Sequence, residues 1–210
     1  MKYYTDKKYL ISLVVGFVAL FASFFINSYA VSYANTHISN PVTDIVLSNI
    51  PVFNVDGIFV YGAVLFVLVI IIICLIKPRH SPFVLKSIAL FTIIRSFFIS
   101  LTHISPFPTQ VAITPNFFTT SELFKSFFTG NDLFFSGHTG LPFLLALIFW
   151  EYPVIRYIFL GFSVLFGVVV LLGHLHYSID VASAFFITFS IFCIAKTFFK
   201  SDWRRSQNEE

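Results

Sequence analysis

The chain has 210 residues, of which 57% are apolar and only 11% are charged, and its formal net charge is +3. A soluble domain of this size would carry about a quarter charged residues. The apolar residues also occur in blocks long enough to span a bilayer, which predicts an integral membrane protein. The basic residues are scattered at the ends of these blocks rather than grouped in a stripe with exposed aromatics, which argues against a nucleic-acid partner.

Six apolar segments are predicted to be transmembrane helices, at residues 9–33, 57–77, 82–103, 133–151, 153–175 and 178–199. The predicted fold class is therefore all-α, a polytopic membrane protein built as a six-helix bundle. We expect one membrane domain over residues 1–210, with the catalytic core at about 82–199. The fourth segment is the least regular, because its first turns contain Ser136 and His138.

Lysine and arginine flank the segments in a pattern that predicts the orientation of the chain. They lie before the first segment, around the second connection, after the fourth segment and after the last one, namely Lys2, Lys7, Lys8, Lys77, Arg79, Lys86, Arg156, Lys196, Lys200, Arg204 and Arg205. Six spans place all four groups on one side, which predicts cytoplasmic termini. The opposite segment ends then face the exoplasm or periplasm, and the small size favours a bacterial inner membrane.

His176 and Asp180 are four residues apart at the start of the last segment, so a helix would place them on one face. A carboxylate bonded to one imidazole nitrogen fixes the tautomer and leaves the other nitrogen as a nucleophile or base. The alternative is that Asp180 only caps the helix and His176 lies at the level of the lipid headgroups. His174 and Tyr177 are further candidates for substrate contact.

His138 lies at the predicted outer end of another segment, directly after Ser136 and Gly137. Ser136 can cap a helix there, and the N–H groups of a helix start can bind a phosphate oxygen. A polar kink at a segment boundary is the alternative explanation of this motif.

Arg95 lies within the third segment, where a guanidinium requires an anion. Substrate phosphate is one candidate, because arginine matches its geometry. A structural ion pair with Asp180 is the other.

Two stretches of the chain resemble a known family. The sequence DLFFSGHT at residues 132–139 resembles the second signature of the sphingomyelin synthase-like branch of the type 2 phosphatidic acid phosphatase (PAP2) superfamily. The sequence HLHYSIDV at residues 174–181 resembles its third signature, and the stretch from Arg95 to Pro108 is similar to the family's third span. The phosphatases carry Ser-Arg upstream of the third signature, whereas Val169-Val170 stand here, which favours the synthase branch.

The resemblance implies a PAP2-like helical bundle and chemistry through a phosphohistidine. In this scheme His176 attacks the lipid phosphate, Asp180 orients it and His138 transfers the proton. Arg95 would bind the phosphate together with N–H groups at Ser136 and Gly137. Asp132, in the second signature, is a further candidate for the site. The scheme requires no metal and no other cofactor.

We therefore expect a lipid phosphotransferase that moves a phospho-headgroup from a glycerophospholipid to a lipid alcohol of the ceramide or diacylglycerol type. The closest alternative is a lipid phosphate phosphatase or phospholipase C-type hydrolase that uses water as acceptor. Water and a lipid hydroxyl need the same base, so the sequence does not separate these reactions. Two other classes are a non-catalytic scaffold and a metal-binding transporter whose zinc ligands are His138, His174, His176 and Asp180.

Overall fold

The computed structural model describes residues 6–101, 103–120 and 133–207. The elements in these ranges are α1 (Lys7–Thr36), α2 (Asp56–Ile76), a 3-10 turn (Pro78–His80), α3 (Ser81–Leu101), α4 (Phe117–Thr120), α5 (Gly137–Ile148), α6 (Pro153–Leu172), α7 (Ser178–Phe198) and α8 (Lys200–Gln207). The predicted all-α fold class is confirmed. Five of these helices are long and apolar enough to cross a membrane, which agrees with a polytopic membrane protein.

The fourth predicted span differs from the expectation. Its helix, α5, has only 12 residues, Gly137–Ile148, which is about 18 Å against the roughly 30 Å of a bilayer core. Ser136 caps the helix and so delays its start, and the helix ends before the turn that leads into Pro153. The prediction of a full span at residues 133–151 is therefore not confirmed for this segment. Most of α5 is buried, since longer helices surround it.

Close packing at α5 depends on glycine. A Cβ atom at Gly140 would lie 2.7 Å from the Thr188 hydroxyl on α7 and 3.0 Å from the Phe91 ring on α3. On the other side, the hydroxyl of Ser163 on α6 donates a hydrogen bond of 2.8 Å to the carbonyl oxygen of Thr139. The start of α5 is thus held between three longer helices, which fixes the position of the residues around His138.

The two ends of the bundle carry different groups. At one end, Lys86 Nζ lies 2.7 Å from Asp202 of α8, and the Ser12 hydroxyl donates to the same carboxylate at 2.6 Å. Arg205 and Asp6 form a further ion pair there at 3.4 Å. The histidine signatures lie at the opposite end, where α5 and α7 begin. We call this the site end of the bundle.

Two loops cover the connection between α6 and α7 at the site end. They are residues 37–55, between α1 and α2, and residues 103–116, between α3 and α4. Their hydrogen bonds to the connection are Phe53 N–H to Leu172 O (2.9 Å), Val111 N–H to Gly173 O (3.0 Å) and Val42 N–H to the Tyr177 hydroxyl (3.2 Å). The loops therefore shield the backbone that precedes α7.

Candidate active site

His176 and Asp180 form a buried hydrogen-bonded pair at the start of α7. The distance from His176 Nδ1 to Asp180 Oδ2 is 3.2 Å, and each residue is only 2% exposed. The same carboxylate oxygen accepts the Tyr177 N–H at 3.1 Å, so it also caps the helix. Capping and orienting the imidazole are therefore performed by one side chain. A proton on Nδ1 leaves Nε2 as the basic nitrogen.

The short connection between α6 and α7 determines the position of His176. His174 has a φ of 50°, in the left-handed region, and the chain reverses there. The carbonyl oxygen of Val170 accepts the N–H groups of Leu175 at 2.8 Å and His176 at 3.4 Å. Val170 itself is fully buried in the hydrophobic core, and its carbonyl oxygen holds the backbone of His176.

A backbone hydrogen bond joins the segment that contains the second signature to the segment that contains the third. Ser136 donates its N–H to the carbonyl oxygen of Asp180 at 2.9 Å, and its side chain accepts the Thr139 N–H at 3.3 Å. The predicted cap by Ser136 is confirmed. The start of α5 therefore lies beside the start of α7, so N–H groups of one helix start are close to the histidine of the other.

His138 is held by aromatic rings from two other helices. Its ring lies on Phe59 of α2, with centroids 4.3 Å apart at 35°, and edge-on to Phe166 of α6 at 5.7 Å. Unlike His176, it is only half-buried. A half-buried imidazole can exchange its proton with water between steps of a reaction, whereas a buried one is shielded.

Arg95 approaches the same helix start. It is 4% exposed, and its Nε donates to the carbonyl oxygen of Phe135 at 3.2 Å. A Cβ atom at Gly137 would lie 3.1 Å from Arg95 Nε, so the glycine leaves room for the guanidinium. Within the described ranges it is the only buried lysine or arginine. A positive charge is thus positioned next to the N-terminus of α5.

The other candidates have different surroundings. His174 is 3% exposed, its Nδ1 bonds the Thr109 hydroxyl, and its Nε2 has no hydrogen-bond partner in the part of the chain that the structure describes. Tyr177 donates its hydroxyl to the carbonyl oxygen of Ser105 at 2.8 Å, which ties a covering loop to α7. Asp132 lies outside the described residues.

Asp44 is a residue that sequence reasoning missed. One carboxylate oxygen accepts the Ser178 N–H at 2.7 Å, and the other accepts Val46 and Leu47 N–H at 2.8 and 3.0 Å. Burial by itself would raise the pKa of Asp44, but these hydrogen bonds outweigh it and hold the pKa below its usual value. A carboxylate in a polar loop was the only signal, because its partner lies far along the chain.

Ligands for a metal ion are not grouped in the described ranges. No set of three or more His, Cys, Asp or Glu side chains between residues 6 and 207, outside the gaps at 102 and 121–132, could hold a metal ion together. The transporter alternative therefore has no ligand cluster among these residues.

Comparisons with known proteins point to one family. Residues 129–197 match the family model described as PAP2 superfamily C-terminal. No curated protein and no solved structure matches the chain. The matched segment contains both histidine signatures, His138 and His176 with Asp180, but not Arg95, and it does not distinguish a branch of the superfamily. Over residues 129–197 this membrane protein is therefore similar to the PAP2 superfamily C-terminal family.

Proposed function

We propose that the protein is an integral-membrane phosphotransferase that moves a phospho-headgroup from a glycerophospholipid to a lipid alcohol of the ceramide or diacylglycerol type. The observation that carries this proposal is the junction of the two signatures. The hydrogen bond from Ser136 N–H to Asp180 O joins the start of α5 to the His176–Asp180 pair. The PAP2 match supports a lipid phosphate as the substrate.

In the first half-reaction, Nε2 of His176 attacks phosphorus and the bond from phosphorus to the diacylglycerol oxygen breaks. Protonated His138 donates its proton to this leaving oxygen, which departs as diacylglycerol. Asp180 accepts the Nδ1–H of His176 and stabilises the ring as it becomes positive. The product is a phosphohistidine that carries the headgroup, with His138 neutral.

In the second half-reaction, neutral His138 removes the proton from the acceptor hydroxyl as its oxygen attacks phosphorus. The bond from phosphorus to Nε2 of His176 breaks, and the headgroup leaves on the new lipid. The enzyme then regains its starting protonation state, with His138 charged. One imidazole thus serves as acid and as base.

Phosphate binding is assigned to Arg95 and the N-terminus of α5. The guanidinium lies against Gly137, and the helix start supplies N–H groups and the positive end of its dipole. Such preorganised donors stabilise the charge that develops on the phosphoryl oxygens, and removal of one donor typically costs about 100- to 1,000-fold in kcat.

Burial of the nucleophile favours a lipid acceptor over water. His176 is 2% exposed and lies beneath the loops 37–55 and 103–116, so the phosphohistidine would be kept from bulk water.

One observation favours the second candidate, a lipid phosphate phosphatase or phospholipase C-type hydrolase. His138, the base of the second step, is half-buried and so within reach of water.

We also propose that the site end faces the exoplasm or periplasm. Lys86 and Arg205 lie at the other end, where they pair with Asp202 and Asp6. Because basic flanks are retained in the cytoplasm, this arrangement supports cytoplasmic termini, and we place the protein in a bacterial inner membrane.

The test uses the full chain in vesicles, with a glycerophospholipid carrying labelled phosphate and with or without ceramide or diacylglycerol. The proposal expects a new labelled lipid that depends on the alcohol, together with an acid-labile phosphoprotein that the variant His176→Ala lacks. Release of water-soluble phospho-headgroup or phosphate, with no new lipid, would establish the hydrolase instead. Unchanged donor and no phosphoprotein would overturn both.

A further inference from the structure

A groove that contains three basic side chains lies at the end of the bundle opposite the site end. It is formed where α7 passes into α8, and its lining residues are Cys193, Lys196, Thr197, Lys200, Trp203 and Arg204. Its volume is about 550 Å³, which is within the range of sites that hold small ligands. Three positive charges and no carboxylate line the groove, so it favours an anion.

The basic and acidic side chains of α8 lie on different sides of the helix. Lys200 and Arg204 are four residues apart, so they share one helix face, and both are exposed. Asp202 is 5% exposed on the face that packs on the bundle, and its carboxylate pairs with Lys86 at 2.7 Å. The one acidic residue of α8 is therefore committed elsewhere and does not neutralise the groove.

Lys196 is held in the groove by aromatic rings. Its Nζ is 5.1 Å from the centre of the Phe192 ring and 5.2 Å from the centre of the Trp203 ring. The two rings support each other, with centroids 5.5 Å apart in an edge-on contact. None of the three basic side chains of the groove forms an ion pair with another described residue. Ring contacts position the ammonium without neutralising it, so its charge can act on a bound anion.

The groove continues into an exposed apolar strip of α7. Cys193 is exposed in the groove, and Phe189 and Phe186, about one and two helical turns earlier, are 54% and 77% exposed. Helix α7 is long and apolar enough to cross a membrane, so these side chains face acyl chains. A ligand that matches both parts has an anionic head and a hydrocarbon tail.

We propose that this groove binds an anionic phospholipid of the surrounding membrane. The lipid phosphate lies at the three basic side chains, which attract anionic headgroups at a membrane surface, and an acyl chain lies along the exposed phenylalanines. The site is separate from the candidate active site, because Lys196 is sixteen residues after Asp180 on α7, about 24 Å along the helix. The bound lipid is thus a ligand of the α7–α8 junction and not the substrate of the histidines.

The test uses the tryptophan of the groove as its reporter. The chain has two tryptophans, so Trp150→Phe leaves Trp203 as the single one in the purified full chain. This protein is placed in phosphatidylcholine vesicles, and phosphatidylglycerol with brominated acyl chains is added, since bromine quenches tryptophan on contact. Brominated phosphatidylcholine of the same chain length reports a lipid without net charge. We expect half-quenching at a fraction of the brominated phosphatidylglycerol at least about tenfold lower than that of the brominated phosphatidylcholine.

Two double variants in the same background locate the preference. Lys200→Gln with Arg204→Gln removes two exposed charges from the groove, and the tenfold preference should be lost. Lys7→Gln with Lys8→Gln is the matched control, because it removes two exposed lysines at the same end of the bundle, where Asp6 pairs with Arg205. The control should keep the preference, and melting temperatures show that both variants fold.

Several results would overturn the proposal. They are a parent protein without preference, a preference that survives the loss of the two groove charges, and an equal loss in both double variants, which would show a diffuse attraction to this end of the bundle. Inorganic phosphate and chloride are also compared at equal ionic strength. Recovery of fluorescence with phosphate alone would assign the groove to free phosphate instead of a lipid. Because no turnover is measured, the result is independent of the proposed phosphotransferase.

Discussion

The N–H of Ser136 and the carbonyl oxygen of Asp180 are 2.9 Å apart, in a hydrogen bond between two helix starts. This bond joins the residue that caps α5 to the residue that orients His176. Because both groups belong to the backbone, side-chain substitutions leave the link intact. Variants at His138, His176 and Asp180 can therefore test the chemistry of each side chain without separating the two signatures.

Asp180→Asn should slow phosphoprotein formation at least about 100-fold. The amide replaces the carboxylate that holds the Nδ1–H of His176, so it no longer enforces the tautomer with a basic Nε2 or stabilises the charged ring. Rapid-quench measurement of labelled protein gives this rate, and the melting temperature shows whether the variant folds. A folded variant that is phosphorylated at the wild-type rate would exclude an orienting role for Asp180.

His138→Gln should lose activity selectively toward poor leaving groups. With a natural phospholipid we expect a loss of about 100- to 10,000-fold, the usual contribution of a general acid or base. A donor whose leaving group is a nitrophenol needs no protonation, so its rate of phosphoprotein formation should fall far less. Equal losses with both donors would show that His138 supports binding or packing, since its ring also stacks on Phe59.

Gly137→Ala should impair phosphate binding because the added Cβ would lie 3.1 Å from Arg95 Nε. Displacement of the guanidinium should raise KM or lower kcat by about tenfold or more, given the cost of losing one such donor. Gly161→Ala is the control, since nothing lies within 4 Å of its added Cβ. That variant should keep full activity and gain up to about 1 kcal/mol of helix stability. Similar kinetics for both variants would contradict the placement of Arg95 in the site.

Acid should destabilise the protein through Asp44. Its pKa is lowered in the folded state, so its contribution to stability is fully present above the unfolded value of 3.8. The contribution is lost as the pH falls through the lower folded pKa. Asp44→Asn should therefore melt at a lower temperature than the wild type at pH 6, and the difference should shrink at pH values below 3.8. Melting curves in detergent across this range give the comparison, and a difference independent of pH would contradict it.

Local features of the site were predictable from the sequence. The spacing of His176 and Asp180 indicated a shared helix face, and Ser136 before an apolar run indicated a helix cap. Each of these relationships spans four residues or fewer, so backbone geometry alone determines it. The membrane helices were predictable for the same kind of reason, since long apolar runs have few stable alternatives in a bilayer.

Other features were decided only by the tertiary structure. The bond from Ser178 N–H to Asp44 joins residues 134 positions apart, and no local pattern encodes it. The length of α5 depends on the longer helices that enclose it, and apolar composition alone extended the segment to a full span.

The composition predicted a membrane protein, and the spacing of His176 and Asp180 predicted that these two residues share a helix face. The position of His138 between Phe59 and Phe166 follows from how α2 and α6 pack on α5. The sequence thus determines which capping and ionisable side chains stand at each helix start, because caps and helix faces are set by residues a few positions apart. Packing decides which of these helix starts meet, because close approach depends on side-chain volumes from distant parts of the chain.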